Sequence, residues 1–156
     1  MRRKDREITD IEEIRDIIEK CKVCRLAMQD EEGLYLVPLN FGYEFEKESL
    51  ALYFHSAKEG RKLRAIQKNS KVCFEMDCEH ALIEAHIPCA YGYEYACVMG
   101  NGKAMILEHT EEKRLALSKL MWHQTGKAFE ISEQMSDSVV VIKVIAESYT
   151  GKMCRS

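Results

Sequence analysis

The chain has 156 residues, 46% of them apolar and 31% charged, with a formal net charge of −3. That balance fits one soluble globular domain spanning residues 1–156. It argues against nucleic acid or an acidic membrane surface as a partner, and no run approaches the roughly 18 apolar residues of a membrane span. The basic start, Met1-Arg2-Arg3-Lys4-Asp5-Arg6, leads into no apolar core of a signal peptide. The expected location is therefore the cytoplasm, with residues 1–9 as a flexible basic arm.

Thr9-Asp10-Ile11-Glu12 reads as a capping box, Thr9 capping and Glu12 reaching back. Ile11, Ile14, Ile17 and Ile18 then recur at helical spacing, which predicts a helix over about residues 10–20. Val23 to Met28 reads as a strand, and Asp30-Glu31-Glu32-Gly33 as a turn. Residues 34–43 form a longer strand, in which Pro38 removes a ladder donor and marks an edge or an irregularity. A charged turn over 44–48 leads to a third strand over 49–54, completing a meander.

A helix is predicted over 58–67 with Leu63 and Ile66 inward, ended by Asn69-Ser70. Lys71 to Asp77 alternates as a strand. Residues 78–91 read as a loop with some strand. A long strand follows over 93–107, bent at Gly100-Asn101-Gly102. Thr110 is expected to cap a helix over 111–123. Residues 124–137 read as irregular or weakly helical, and 138–146 as the last strand. Thr150-Gly151-Lys152 closes the fold. The total is about six strands and three helices, mostly on short links. The class is mainly β with peripheral helices, and meanders of this kind close into a barrel.

The most informative segment is Leu52-Tyr53-Phe54-His55-Ser56-Ala57-Lys58-Glu59-Gly60-Arg61-Lys62. It runs from a strand through a polar turn into a helix start. Such a start offers unpaired N–H groups and the positive end of the helix dipole. Ser56, Lys58, Arg61 and Lys62 would add a hydroxyl and three cations, a combination suited to the phosphate of a cofactor. The alternative is a solvated basic helix on the surface. His55 is either a hydrogen-bonded structural residue or, beside such a site, a catalytic one.

Seven cysteines are present. Without a secretion signal they are expected to be reduced thiols, with Cys21, Cys24, Cys73, Cys89 and Cys97 acting as small hydrophobes. Cys21-Lys22-Val23-Cys24 has redox spacing but sits at a helix end, where the dipole raises a thiol pKa. Cys78, His80, His86 and Cys89 could supply zinc ligands, although the spacing is not a common one, and no metal is expected. Trp122 fills core or interface, or reaches a ligand together with His123. No P-loop, GxGxxG, HExxH or GxSxG is present.

Three segments in order resemble the flavin-binding split-barrel proteins related to pyridoxamine 5′-phosphate oxidase, and within them the nitroimidazole-resistance (Nim-type) branch. They are Val37-Pro38-Leu39-Asn40-Phe41-Gly42-Tyr43, the His55 to Lys62 turn with its flanks, and Val98-Met99-Gly100-Asn101-Gly102-Lys103-Ala104. The resemblance covers roughly residues 10–153. It implies a six-stranded antiparallel split β-barrel that forms a homodimer and holds FMN at the subunit interface.

Carried over by position, Arg61 and Lys62 match the phosphate-binding basic pair. His55, Ser56 and Ala57 match the strand end beside the phosphate and ribityl chain. The backbone of Val37, Pro38, Leu39, Asn40, Phe41 and Gly42 matches the strand along the isoalloxazine ring. Cys97, Val98 and Met99 match a position near the ring, and Trp122 and His123 are further cofactor-binding candidates, with contact to the partner's flavin left open. Cys97 departs from the Ser or Gln of many relatives, and a thiol is a weaker hydrogen-bond partner. Ala96 stands where many relatives carry a cation.

The implied function is an FMN-dependent oxidoreductase that reduces a small electrophile, nitroaromatic or quinone-like, with NAD(P)H or another donor. The rival reading is a flavin- or haem-binding split-barrel protein without catalysis. A pyridoxamine-phosphate oxidase proper ranks lower, for want of a second cationic cluster.

Overall fold

A computed structural model describes residues 3–155. Its strands are β1 (Glu7–Ile8), β2 (Val23–Asp30), β3 (Gly33–Asn40), β4 (Gly42–Glu46), β5 (Ser49–Ser56), β6 (Lys71–Ile83), β7 (Gly92–Leu107) and β8 (Val140–Cys154). Its α-helices are α1 (Ile11–Lys20), α2 (Arg61–Lys68), α3 (Thr110–Thr125) and α4 (Glu133–Asp137). Two short 3-10 turns cover Lys4–Arg6 and Pro88–Ala90.

All neighbouring strands pair antiparallel, in the order β3-β2-β6-β7-β8-β5-β4, with β1 joined to β8. The two ends of this order, β3 and β4, are consecutive in the chain and separated by Phe41 alone. The sheet therefore curls until its ends meet, and no ladder joins β3 to β4 or β5 among the described residues. This is a split barrel.

Inward-facing side chains alternate along each strand, as a pleat requires. Leu26 and Met28, Leu50, Leu52 and Phe54, Phe74 and Met76, Val98, Ile142 and Val144 fill the interior, nearly all of them inaccessible to solvent. Each contributes about 1.5–3 kcal/mol relative to exposure. Helix α1 covers one opening with Ile14, Ile17 and Ile18. Helix α3 lies on β4 and β5 over a second cluster of Tyr53, Leu107, Ala116 and Val141. Its approach is so close that a Cβ on Gly42 would stand 2.4 Å from the Leu120 Cα.

Several expectations need correction. Eight strands replace six: residues 34–43 divide at Phe41 into β3 and β4, and β1 was not foreseen. The supposed arm is shorter than residues 1–9, because Glu7 pairs with Lys152 and Ile8 with Gly151, burying Ile8. Met1 and Arg2 lie outside the described residues. Helix α1 is capped by Asp10, whose carboxylate accepts from the Glu12 and Glu13 N–H groups at 2.8 and 3.4 Å; the capping box on Thr9 does not form. Asp10 is one residue closer to the first apolar position, and Asp is among the strongest caps.

Thr110 is the first residue of α3 rather than its cap. Strands β6 and β8 extend well beyond 77 and 146, since each pairs with the long β7. Pro38 stands in register opposite Arg25 on a terminal strand, where its missing donor is tolerated.

Candidate functional site

Strand β5 ends at Ser56 and α2 begins at Arg61. The helix is preceded by Gly60 at φ 144°, a conformation few other residues adopt, and no side chain caps its first turn. Its leading N–H groups are thus left without side-chain acceptors.

Arg61 does not face this turn as a free cation. Its Nε and Nη2 donate to the two carboxylate oxygens of Asp30, each at 2.8 Å, and its guanidinium lies 4.8 Å from the centre of the Tyr35 ring. Asp30 also accepts from the Glu32 N–H at 2.9 Å. Arg61 holds the Asp30 carboxyl below its ordinary range, and Asp30 in turn raises Arg61. The basic pair is therefore divided in role: Arg61 ties α2 to the β2–β3 turn.

Lys62 is different. It is half-buried and makes no hydrogen bond or ion pair among the described residues, and burial alone pushes its pKa down. Ser56, buried at the end of β5, offers a hydroxyl without a partner among the described residues. An unpaired buried cation is costly, and an anion at this helix start would relieve it. The residues present therefore fit a phosphate.

His55 and Ser56 point to opposite faces of β5, as successive strand residues do. Ser56 is buried, whereas His55, Ala57 and Lys58 are exposed. His55 makes no side-chain hydrogen bond, ion pair or ring contact among the described residues.

Strand β3 leaves this region and runs along an unpaired edge. Val37 and Leu39 pack against the core, Pro38 and Asn40 are exposed, and Phe41 is fully buried. Over its eight residues the strand spans about 25 Å. Asn40 Nδ2 donates to the Lys22 carbonyl at 3.0 Å and to Gln124 at 3.2 Å.

At that far end, His123 is a structural bolt. It is 3% exposed, with Nδ1 2.8 Å from the Phe41 carbonyl and Nε2 3.2 Å from the Glu19 carbonyl. Its ring packs on Phe41 and meets Tyr43 edge-on. Its ring is thus wedged between the β3–β4 junction and α1 with a backbone carbonyl facing each nitrogen, buried rather than open to a ligand in the single chain. Trp122, by contrast, is 58% exposed, so it does not fill the core. It stands at a cavity of about 410 Å³ that Glu19, Tyr43, Lys119 and Phe129 also line.

The third expected segment lies elsewhere. Cys97 pairs with Asp77 on β6 and Lys152 on β8, two ladders beyond β2. Burial pushes the Cys97 thiol up. Val98 is inside the barrel, and Met99 is exposed on the outer face. Ala96 is fully buried. Within one chain, α2 meets the start of β3 and α3 meets its end, while Cys97 to Met99 lie on β7, three strands from β3 in the sheet order. No described cavity unites the three segments.

The other cysteine and histidine readings resolve individually. All seven cysteines are free. Cys73 and Cys89 are exposed rather than packed as small hydrophobes. Cys21 and Cys24 are buried, and desolvation pushes Cys24 up to about 12 and Cys21 still further, which leaves little thiolate for redox chemistry. Among the described residues no His, Cys, Asp and Glu group converges as metal ligands; His80 instead bonds Asp77 at 2.9 Å and stacks on Tyr93.

Sequence reasoning missed Asp30, visible only as a turn residue, although its carboxylate was the nearest acid to balance a basic helix start. It also missed Glu19 and Phe129, which carried no local signal.

Comparison with known proteins follows this geometry. Among curated proteins none matches the chain. Its fold is similar to that of a Bacteroides thetaiotaomicron VPI-5482 protein described as a candidate 5-nitroimidazole antibiotic resistance protein: 37% identity over 94% of this chain and 86% of the other, with a TM-score of 0.81. The flavocytochrome Anf3 of Azotobacter vinelandii matches at 14% identity and TM-score 0.81, over 100% of this chain and 72% of that one. A FAD and heme binding protein of Mycobacterium smegmatis matches at 13% and 0.82, over 97% and 74%. At such identities these two speak for the fold alone. Residues 10–153 match the pyridoxamine 5′-phosphate oxidase family, and the chain belongs to that family.

Proposed function

We propose that this protein is a flavin-dependent oxidoreductase of the Nim type, binding FMN where two copies of the chain meet. The observation that carries the reading is Lys62: half-buried, unpaired among the described residues, and next to an uncapped helix start. In this reading Lys62, the Ser56 hydroxyl and the first N–H groups of α2 hold the phosphate. The unpaired edge of β3 presents backbone donors and acceptors from Val37 to Asn40 to the polar rim of the ring. Cys97 to Met99, remote from α2 within one chain, complete the site from the second copy, and Trp122 stands near the far end of β3.

Flavin, when bound, supplies the redox chemistry. The chain orients it and excludes water from one face, and placement rather than a side-chain acid or base governs the rate. His55, the catalytic candidate of the sequence reading, is exposed and serves at most to steer a substrate. The substrate class is a small electrophile, nitroaromatic or quinone-like, and the donor is NAD(P)H. Support comes from family membership and from the 37% identical relative described for 5-nitroimidazole resistance.

The test is an absorbance spectrum of the purified protein, followed by FMN fluorescence titration and size-exclusion mass. Stoichiometric FMN on a dimer and turnover with NAD(P)H are expected. A Soret band in place of flavin absorbance would overturn the reading, as would a monomer that leaves FMN free.

A further inference from the structure

The cavity beside Trp122 has its own chemistry. Tyr43, Trp122 and Phe129 supply three aromatic surfaces to a space of about 410 Å³. Trp122 and Phe129 remain 58% and 45% exposed and make no ring contact with each other among the described residues. Helix α1 contributes Glu19, and the Tyr43 hydroxyl donates to Glu19 Oε2 at 2.6 Å. Burial and this bond both keep the Tyr43 phenol protonated.

Three nearby cations have partners other than the Glu19 carboxylate. Lys119 pairs with Glu44 at 3.2 Å. Lys22 Nζ donates to the backbone carbonyls of Glu19 and His123 at 3.0 and 2.7 Å. Arg15, one turn back on α1, pairs with Glu12 and donates to the Phe45 carbonyl. No cation lies within ion-pair distance of the Glu19 carboxylate among the described residues. The wall thus combines aromatic faces with an exposed carboxylate that has no ion pair among the described residues and is held in place by Tyr43.

We propose that this cavity binds a small organic cation, a quaternary or substituted ammonium group carried on an apolar body. Aromatic faces attract such cations through their quadrupoles. Glu19 adds a charge partner on the same wall, and Lys119, neutralised by Glu44, does not oppose it. A hydrated inorganic cation would gain nothing from the rings, and an anion would meet Glu19. The cavity involves neither Lys62 nor the turn before α2, and shares only Trp122 with the flavin reading.

The chain contains a single tryptophan, so intrinsic emission reports on this cavity directly. The full-length protein is titrated with choline and, separately, with its neutral isostere 3,3-dimethylbutan-1-ol, at constant ionic strength. Choline should change Trp122 emission saturably and bind about tenfold more tightly than the neutral probe. Glu19→Gln should remove most of that preference while leaving affinity for the neutral probe unchanged. Tyr43→Phe, which frees the carboxylate to move, should weaken choline by about threefold. Equal affinity for the two probes would overturn the proposal, as would a preference that survives Glu19→Gln. Absence of any response to choline, in emission and in calorimetry, up to about 10 mM would also overturn it. FMN binding that fails while choline binding persists would count against the flavin reading alone.

Discussion

Arg61 and Asp30 form a two-pronged ion pair across the gap between α2 and the β2–β3 turn, both contacts at 2.8 Å. Its neighbour Lys62 has no such partner. Two adjacent basic residues thus carry different duties, and single substitutions separate them. Lys62→Ala should weaken FMN binding by about 1.5–3 kcal/mol, the usual worth of a charge-assisted hydrogen bond, while leaving the unfolding midpoint unchanged or raised. Arg61→Ala should lower the midpoint first, by freeing the β2–β3 turn. Flavin fluorescence titration and urea unfolding of both variants check the division.

The same pair sets an acid limit. Asp30 has its pKa depressed in the folded state, chiefly by the Arg61 hydrogen bonds. Such a group stabilises the fold above its unfolded pKa of about 3.9 and loses that contribution as the pH falls through the folded value. Glu44, bonded to Tyr53 and Lys119, and Glu79, bonded to Lys20 and Arg155, shift in the same direction. Stability should therefore decline below about pH 4, and Asp30→Asn should flatten part of that slope. Urea midpoints measured across acid pH give the answer.

His123→Ala should cost about 2–4 kcal/mol, chiefly because it opens a cavity beside Phe41 and Tyr43; the Phe41 and Glu19 carbonyls keep Gln124 and Lys22 as donors. Flavin affinity should change little in the portion that remains folded. A thermal melt paired with FMN titration distinguishes this bolt from a ligand contact.

Gly42→Ala would drive a methyl group into the α3 backbone at Leu120, where flexible side chains cannot yield. A loss of about 1–3 kcal/mol is expected in calorimetry, typical of overpacking.

Thiol accessibility should divide the cysteines. Cys73 and Cys89 should react quickly with a thiol reagent in the native protein. Cys21, Cys24 and Cys97 should react only on unfolding, since each is buried with a raised pKa. Mass spectrometry after brief and denatured labelling reads the order.

Much of the architecture was legible in the sequence because strand alternation and turn chemistry are local signals. The isoleucine spacing placed α1, and the charged turn after β4 was plain. The break at Phe41 was not, since Phe41 and Gly42 both suit a strand and only the curling of the whole sheet interrupts it. Likewise β1 is two residues long, and pairing with a distant strand is what fixes it. At the candidate site, the strand–turn–helix segment announced a basic helix start. The split between Arg61 and Lys62 was hidden, because the acid that claims Arg61 lies on another hairpin. The role of His123 was hidden for the same reason: the groups facing its two nitrogens are backbone carbonyls, which every residue possesses.

Strand β1 is held by β8, across a loop of about 145 residues between Glu7 and Lys152. Until that loop closes, Ile8 has no cover, and α1 lacks the floor on which Ile14 and Gly151 meet. Closing β1 onto β8 is therefore a long-range step, and until it is taken the protein depends on its remaining strands to stay compact.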